Sequence, residues 1–148
     1  MPGIGKAYQI AGAGIAGLTL ALALAQRGAH VTLLERNQAV SEFGAGLQIS
    51  PNARKVLDRL GLSQAIADRS LEPTGIDLYP AGAAKPLTTL ELGAVMRTEF
   101  GAPYAVMHRG DLADVLFTAA QQHPNIDIFL GVSTWSAQST PEGVTLSW

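Results

Sequence analysis

Between Lys6 and Arg27 the chain passes from a short apolar run through Gly12-Ala13-Gly14-Ile15-Ala16-Gly17 into a stretch of strong helix formers. Glycines at that spacing leave few folds open. They predict a strand over Lys6 to Ala11, a tight turn, and a helix whose strong formers run from Leu18 to Arg27. Gly28 sits where a helix stop belongs, and the β-branched and aliphatic run from His30 to Glu35 predicts a second strand. The first thirty-odd residues therefore predict a β-α-β unit.

The chemistry such a turn serves is phosphate binding. A dinucleotide pyrophosphate needs backbone N–H groups at the positive end of a helix dipole, with no Cβ in the way. Gly12 permits the turn, Gly14 lets phosphate approach, and Gly17 lets the helix lie against the sheet; Ile15 and Ala16 complete the candidate set. The glycine pattern alone is weak evidence, because 16 glycines in 148 residues produce such spacings by accident. Its context is stronger: a strand before, a helix after, and an acid, Glu35, eighteen positions beyond Gly17 at the end of the second strand. Glu35 is placed to take ribose hydroxyls and disfavours a 2′-phosphate, although Arg36 beside it leaves that choice open. The competing reading of Glu35 is a solvated strand end.

Composition excludes several other classes. Hydrophobic residues at 47% and charged residues at 15% suit a globular core, and a formal net charge of −2 leaves no basic face for nucleic acid or anionic lipid. With no Cys there is no disulfide or cysteine metal site, and His30, His108 and His123 are scattered, so no metal is expected. The longest apolar stretch, Ile15 to Ala25, is too short for a bilayer and does not read as an export signal. The expectation is a cytoplasmic protein with no membrane partner.

Further along, Arg36 to Ser50 is glycine-rich and irregular. A helix is predicted over Pro51 to Leu60, with Ser50 able to cap it and Gly61 closing it, followed by a short helix over Ser63 to Arg69. Gly75 to Tyr79 and Pro86 to Leu90 predict a hairpin joined by Pro80 to Ala83. Leu112, Val115, Leu116 and Ala119 give Asp111 to Gln122 one apolar helical face. The tail predicts three short strands, Ile126 to Leu130, Val132 to Gln138 and Val144 to Trp148, with a turn at Pro141-Glu142-Gly143.

Four segments carry a family resemblance: Ile10 to Leu18, Leu34-Glu35-Arg36, Gly44-Ala45-Gly46-Leu47-Gln48-Ile49-Ser50-Pro51-Asn52-Ala53 with Leu60-Gly61-Leu62, and His108-Arg109-Gly110-Asp111-Leu112. The chain resembles the N-terminal part of the FAD-dependent aromatic-ring monooxygenases, close to salicylate-hydroxylase-like members. The third segment is much more specific than the glycine turn, which many FAD and NAD proteins share. The resemblance implies an α/β fold: a Rossmann-like βαβ FAD-binding domain with a parallel sheet plus a small antiparallel β-meander, incomplete relative to the family. It implies FAD as cofactor, with Arg109 approaching its pyrophosphate and ribityl region, where a fixed cation offsets phosphate charge. Arg36 and Gln48 are implied pocket-lining residues, and Val132 is implied to lie near the adenine. Asp111 suits a helix N-terminus better than catalysis, and His108 is assigned no chemistry.

The activity implied is NAD(P)H- and O₂-dependent hydroxylation of a small aromatic substrate. The family's later Gly-Ala-Asp-Gly and Gly-Asp-Ala segments are not among these residues, so residues 1–148 are expected to be the N-terminal part of such a domain, truncated, with no separate substrate domain. Hydroxylation needs a closed, dry pocket, so the expectation is that these residues alone bind FAD or ADP at best weakly and do not hydroxylate. No catalytic residue is assigned. Self-association through the edge of the last strand is a further expectation. The alternatives are a non-catalytic adenine-nucleotide module and an NAD-dependent dehydrogenase domain; Gly44 to Ala53 and His108 to Leu112 weigh against the latter.

Overall fold

The computed structural model describes residues 4–40, 44–141 and 143–148. In chain order the elements are β1 (Ala7–Ala11), α1 (Ile15–Ala25), β2 (His30–Leu34), β3 (Gly46–Ile49), α2 (Pro51–Arg59), α3 (Ser63–Ala67) and β4 (Gly75–Leu78). There follow β5 (Thr88–Glu91), α4 (Gly93–Phe100), β6 (Ala105–His108), α5 (Arg109–Gln121), β7 (Ile126–Phe129), β8 (Ser136–Thr140) and β9 (Gly143–Ser147). They divide into two compact units, Met1–Phe43 with Leu112–Trp148, and Gly44–Asp111.

In the first unit β1, β2 and β7 form a parallel sheet in the order β1-β2-β7, with Ala7 opposite His30 and Val31 opposite Ile126. Strand β2 is central, and Val31, Leu33 and Leu34 are all buried, as expected of a parallel strand covered on both faces. Helix α1 is apolar nearly all round, yet Leu18, Ala21, Leu22 and Ala25 are its buried residues while Leu20 is exposed. Fully burying a leucine such as Leu18 contributes about 1.5 to 3 kcal/mol, so this face anchors the turn that precedes it. The helix begins at Ile15, three residues before the strong formers, because Gly14 in extended conformation caps it directly after the strand. Strands β8 and β9 pair antiparallel with Ser136 opposite Ser147, and Trp148 packs on Phe129 with ring centroids 5.3 Å apart.

The second unit holds three helices and two antiparallel pairs. Gly46 to Ile49, which the sequence suggests is irregular, is a strand paired with β6, Gly46 standing opposite His108. Helix α2 starts at Pro51 as expected, but Ser50 makes no side-chain cap; its hydroxyl donates to Asn52 Oδ1 instead. Gly61 then closes the helix at φ +81°. The β4–β5 hairpin forms with Gly75 opposite Glu91. Helix α4 is not legible from its sequence, since none of its residues is buried; it is set up at its start by buried Leu92, whose N–H, with that of Gly93, donates to Thr74 C=O.

A buried cation organises this unit. Arg54 is only 6% exposed and donates from Nε to Asp58 Oδ1 at 2.9 Å and from Nη2 to the Ser63 carbonyl at 3.0 Å, tying α2 to α3. Glu72, which also pairs with Arg97, lies 3.9 Å from Arg54 Nη1.

One sequence expectation shifts in the tail. The strand expected over Val132 to Gln138 begins only at Ser136. Gly131 turns at φ +76° and the Val132 N–H donates to the Glu35 carbonyl at 2.9 Å, which draws 132–135 out of any strand. Glu142 of the expected final turn, and 41–43 of the glycine-rich stretch, lie outside the described residues. Among the described residues no helix is long and apolar enough to cross a membrane.

Candidate cofactor-binding site

The turn between β1 and α1 is built as its glycines require. Gly12 sits at φ +104°, open to glycine and strained for any other residue. Its N–H donates to Leu34 C=O at 2.7 Å, extending the β1–β2 ladder by one bond. A Cβ on Gly17 would stand 1.9 Å from the Gly12 carbonyl oxygen, so the first turn of α1 lies directly on the loop. The Leu18 N–H already donates to Gly14 C=O. The N–H groups of Ile15, Ala16 and Gly17 belong to the first turn, which has no intrahelical acceptors to offer them. They can serve an anion at the positive end of the helix.

Glu35 follows β2 and is held from several sides. Its N–H donates to Phe129 C=O at 2.9 Å, its carboxylate Oε2 accepts from Ala13 N–H at 2.8 Å, and Oε1 accepts from Asn37 N–H at 2.9 Å. The acid therefore buttresses the glycine turn itself. Burial alone would raise its pKa, but the Asn37 and Ala13 N–H donors, with the Arg36 charge, outweigh that and hold it below the usual carboxylate value. Its two oxygens keep acceptor capacity for a hydroxyl.

Because the folded pKa of Glu35 is lowered, its contribution to stability is present above the ordinary carboxylate value and is lost as pH falls through the folded value. Glu35→Gln is expected to cost about 2 kcal/mol at neutral pH. That gap between parent and variant should hold down to about pH 5 and shrink below it. Urea unfolding at a series of pH values checks this; a gap that widens on acidification would contradict it.

Beside Glu35 lies a cavity of about 510 Å³, within the range of small-ligand sites, bounded by Gly12, Glu35, Arg36, Asn37, Val132, Ser133 and Trp135 among others. Six candidates, Gly12, Gly14, Ile15, Ala16, Gly17 and Glu35, thus meet at one end of the parallel sheet, with Arg36 and Val132 on the same cavity wall as Gly12 and Glu35. Gln48 and Arg109 belong to the second unit. There Gln48 is exposed on β3, and Arg109 opens α5 immediately after β6. A Cβ on Gly44 would lie 3.4 Å from Arg109 Cδ, so the Gly44 to Ala53 and His108 to Leu112 motifs adjoin. Asp111 lies in the first turn of α5, and His108 is exposed at its strand end.

Two features of the site carry no motif. Asn37 contributes through its backbone, invisible to residue type, and Trp135 falls in a segment whose residues suggest a strand.

The family model for the FAD binding domain matches residues 7–147. The chain belongs to that family. It is 35% identical to a 3-hydroxybenzoate 6-hydroxylase of Klebsiella oxytoca over 137 residues, 93% of this chain and 34% of that protein. A 3-amino-4-hydroxybenzoate 2-monooxygenase of Streptomyces platensis is also 35% identical, with the same coverage. The chain spans about a third of the length of the curated relatives it matches. A solved 2-methyl-3-hydroxypyridine-5-carboxylic acid oxygenase matches with TM-score 0.74 and 29% identity over 89% of this chain and 32% of its own. A Klebsiella pneumoniae HpxO variant complexed with FAD shares the fold, at TM-score 0.79 and 20% identity, over 95% of this chain and 35% of its own. The relatives are hydroxylases and monooxygenases, which gives the dehydrogenase and non-catalytic adenine-nucleotide-module alternatives no support. The residues present fit FAD: a glycine turn at a helix N-terminus, an ionised acid at the end of β2, and a cavity beside both.

Proposed function

We propose that this FAD binding domain serves a monooxygenase that uses NAD(P)H and O₂ to hydroxylate a small aromatic acid or phenol. The observation that carries the reading is the buttressed turn, in which the Glu35 carboxylate holds the Ala13 N–H while facing the cavity beside Gly12. Its supporting context is the identity to hydroxylases of ring-hydroxylated benzoates across 93% of the chain. In this reading the first-turn N–H groups of Ile15, Ala16 and Gly17 take the pyrophosphate, Glu35 takes the ribose hydroxyls, and Val132 packs near the adenine. Bound FAD supplies the redox chemistry, and the protein supplies its position and charge environment.

The hydroxylase part is tested by exchanging residues 1–148 for the corresponding third of a 3-hydroxybenzoate 6-hydroxylase. The exchanged enzyme should retain FAD and oxidise nicotinamide only when a small aromatic acid is present, with hydroxylated product seen by mass spectrometry. A folded, FAD-loaded exchange that hydroxylates none of a panel of such acids would sink that part and leave FAD binding standing. Self-association belongs to the same reading: among the described residues β9 pairs only with β8, leaving one edge open. Light scattering should show the mass rising with concentration; a constant monomer mass would contradict it.

A further inference from the structure

We propose that the indole of Trp135 is the platform on which the adenine ring of the cofactor stacks. The inference rests on the FAD reading above and adds a residue to it. If Glu35 takes the ribose, the base must lie toward the remaining walls of the same cavity. Those walls are Arg36 and Asn37, leaving β2, and Val132, Ser133 and Trp135, leaving β7.

Trp135 is the sole aromatic side chain lining that cavity among the described residues. It is 48% exposed, leaving a large apolar ring part-uncovered where a nucleobase would arrive. The same residue also lines a second cavity of about 440 Å³, with Tyr8 and Gln9 of β1 and Val144 and Leu146 of β9. Trp135 thus stands as a shared wall between the hairpin-lined cavity and the nucleotide cavity. The segment that carries it leaves β7 through the turn at Gly131, whose N–H donates to Asn37 C=O at 2.9 Å, and through the Val132 N–H bond to the Glu35 carbonyl. Those contacts link the ribose-binding acid to the segment carrying the ring. Base stacking on an aromatic face needs no further hydrogen-bond partner, so the exposed ring suffices.

The test uses ADP, which carries the base, and ribose 5-phosphate, which does not. The chain has two Trp, so Trp148→Phe leaves Trp135 as the lone indole reporter. In that background ADP should quench indole emission saturably. By calorimetry Trp135→Ala should bind ADP about 5- to 150-fold more weakly, Trp135→Phe should recover most of the loss, and ribose 5-phosphate affinity should stay within about twofold. Circular dichroism confirms that each variant is folded; should Trp135→Ala not fold, the quenching in the Trp148→Phe background carries the test. Unquenched emission on ADP binding, or a folded Trp135→Ala that binds ADP as the parent does, would overturn the platform and leave the FAD site intact. Failure of the folded parent to bind either ADP or FAD would overturn the site and the platform together.

Discussion

Gly17→Ala should unfold the protein at markedly lower urea concentration, with a loss of about 3 kcal/mol, the upper end of what over-packing costs. The reason is the 1.9 Å approach that an added Cβ would make to the Gly12 carbonyl oxygen, with Ile10 Cγ2 another 3.4 Å away. The carbonyl cannot simply rotate aside. It shares a peptide plane with the Ala13 N–H, which donates to Glu35 Oε2 at 2.8 Å. Relief has to come from moving α1 off β1, which opens the buried contacts of Leu18, Ala21 and Leu22 and displaces the first-turn N–H groups. ADP affinity should therefore fall together with stability. A variant within about 0.5 kcal/mol of the parent, the range of neutral surface changes, would mean the turn is not as tight as described.

Arg54→Met is the second large effect, and it acts in the other unit. Removing one partner of a buried ion pair costs about 3 to 5 kcal/mol because a charge is left without compensation. Here the lower figure, about 3 kcal/mol, is expected. Asp58 and Glu72 keep 34% and 35% of their side chains exposed and can rehydrate, and one guanidinium nitrogen, Nη1, has no hydrogen-bond partner to lose. The Ser63 carbonyl would lose its donor, loosening the α2–α3 junction. Burial would raise the Asp58 pKa, but Arg54 and Ser63 hold it below the usual value. Stability is thus gained above that value and lost on acidification through the lowered one, and the variant should lose most of this acid dependence. Urea unfolding at neutral and acidic pH checks both points; an Arg54→Met protein as stable as the parent at neutral pH would contradict the role assigned to the network.

The β-α-β unit was legible because each of its steps has a local cause. Gly12 needs positive φ, Gly17 needs the absence of a Cβ, and the apolar run of β2 suits a strand buried on both faces. The acid at position 35 was legible as an acid at the right spacing. That its carboxylate also bonds the N–H of Ala13 was not, since the bond joins residues 22 positions apart. Strand β3 hid behind its glycines because its pairing comes from β6, some sixty residues away. Helix α4 buries no side chain and so carries no apolar stripe. Arg54 reads as a surface cation on any helical wheel, and only the folded chain shows the two acids and the carbonyl that surround it. Trp135 was obscured for a similar reason: its neighbours suggest a strand, and the turn at Gly131 removes it from one.

The central claim is that this chain grips the adenosine-diphosphate half of FAD, through the α1 N-terminus and Glu35. It is tested most directly by competition. The protein is loaded with FAD, and release of the flavin is followed by its fluorescence as ADP or FMN is added. ADP, which carries the gripped half, should displace FAD completely and with single-site behaviour, and FMN at the same concentrations should displace none. Displacement by FMN with ADP inert would place the grip on the flavin half and contradict the account.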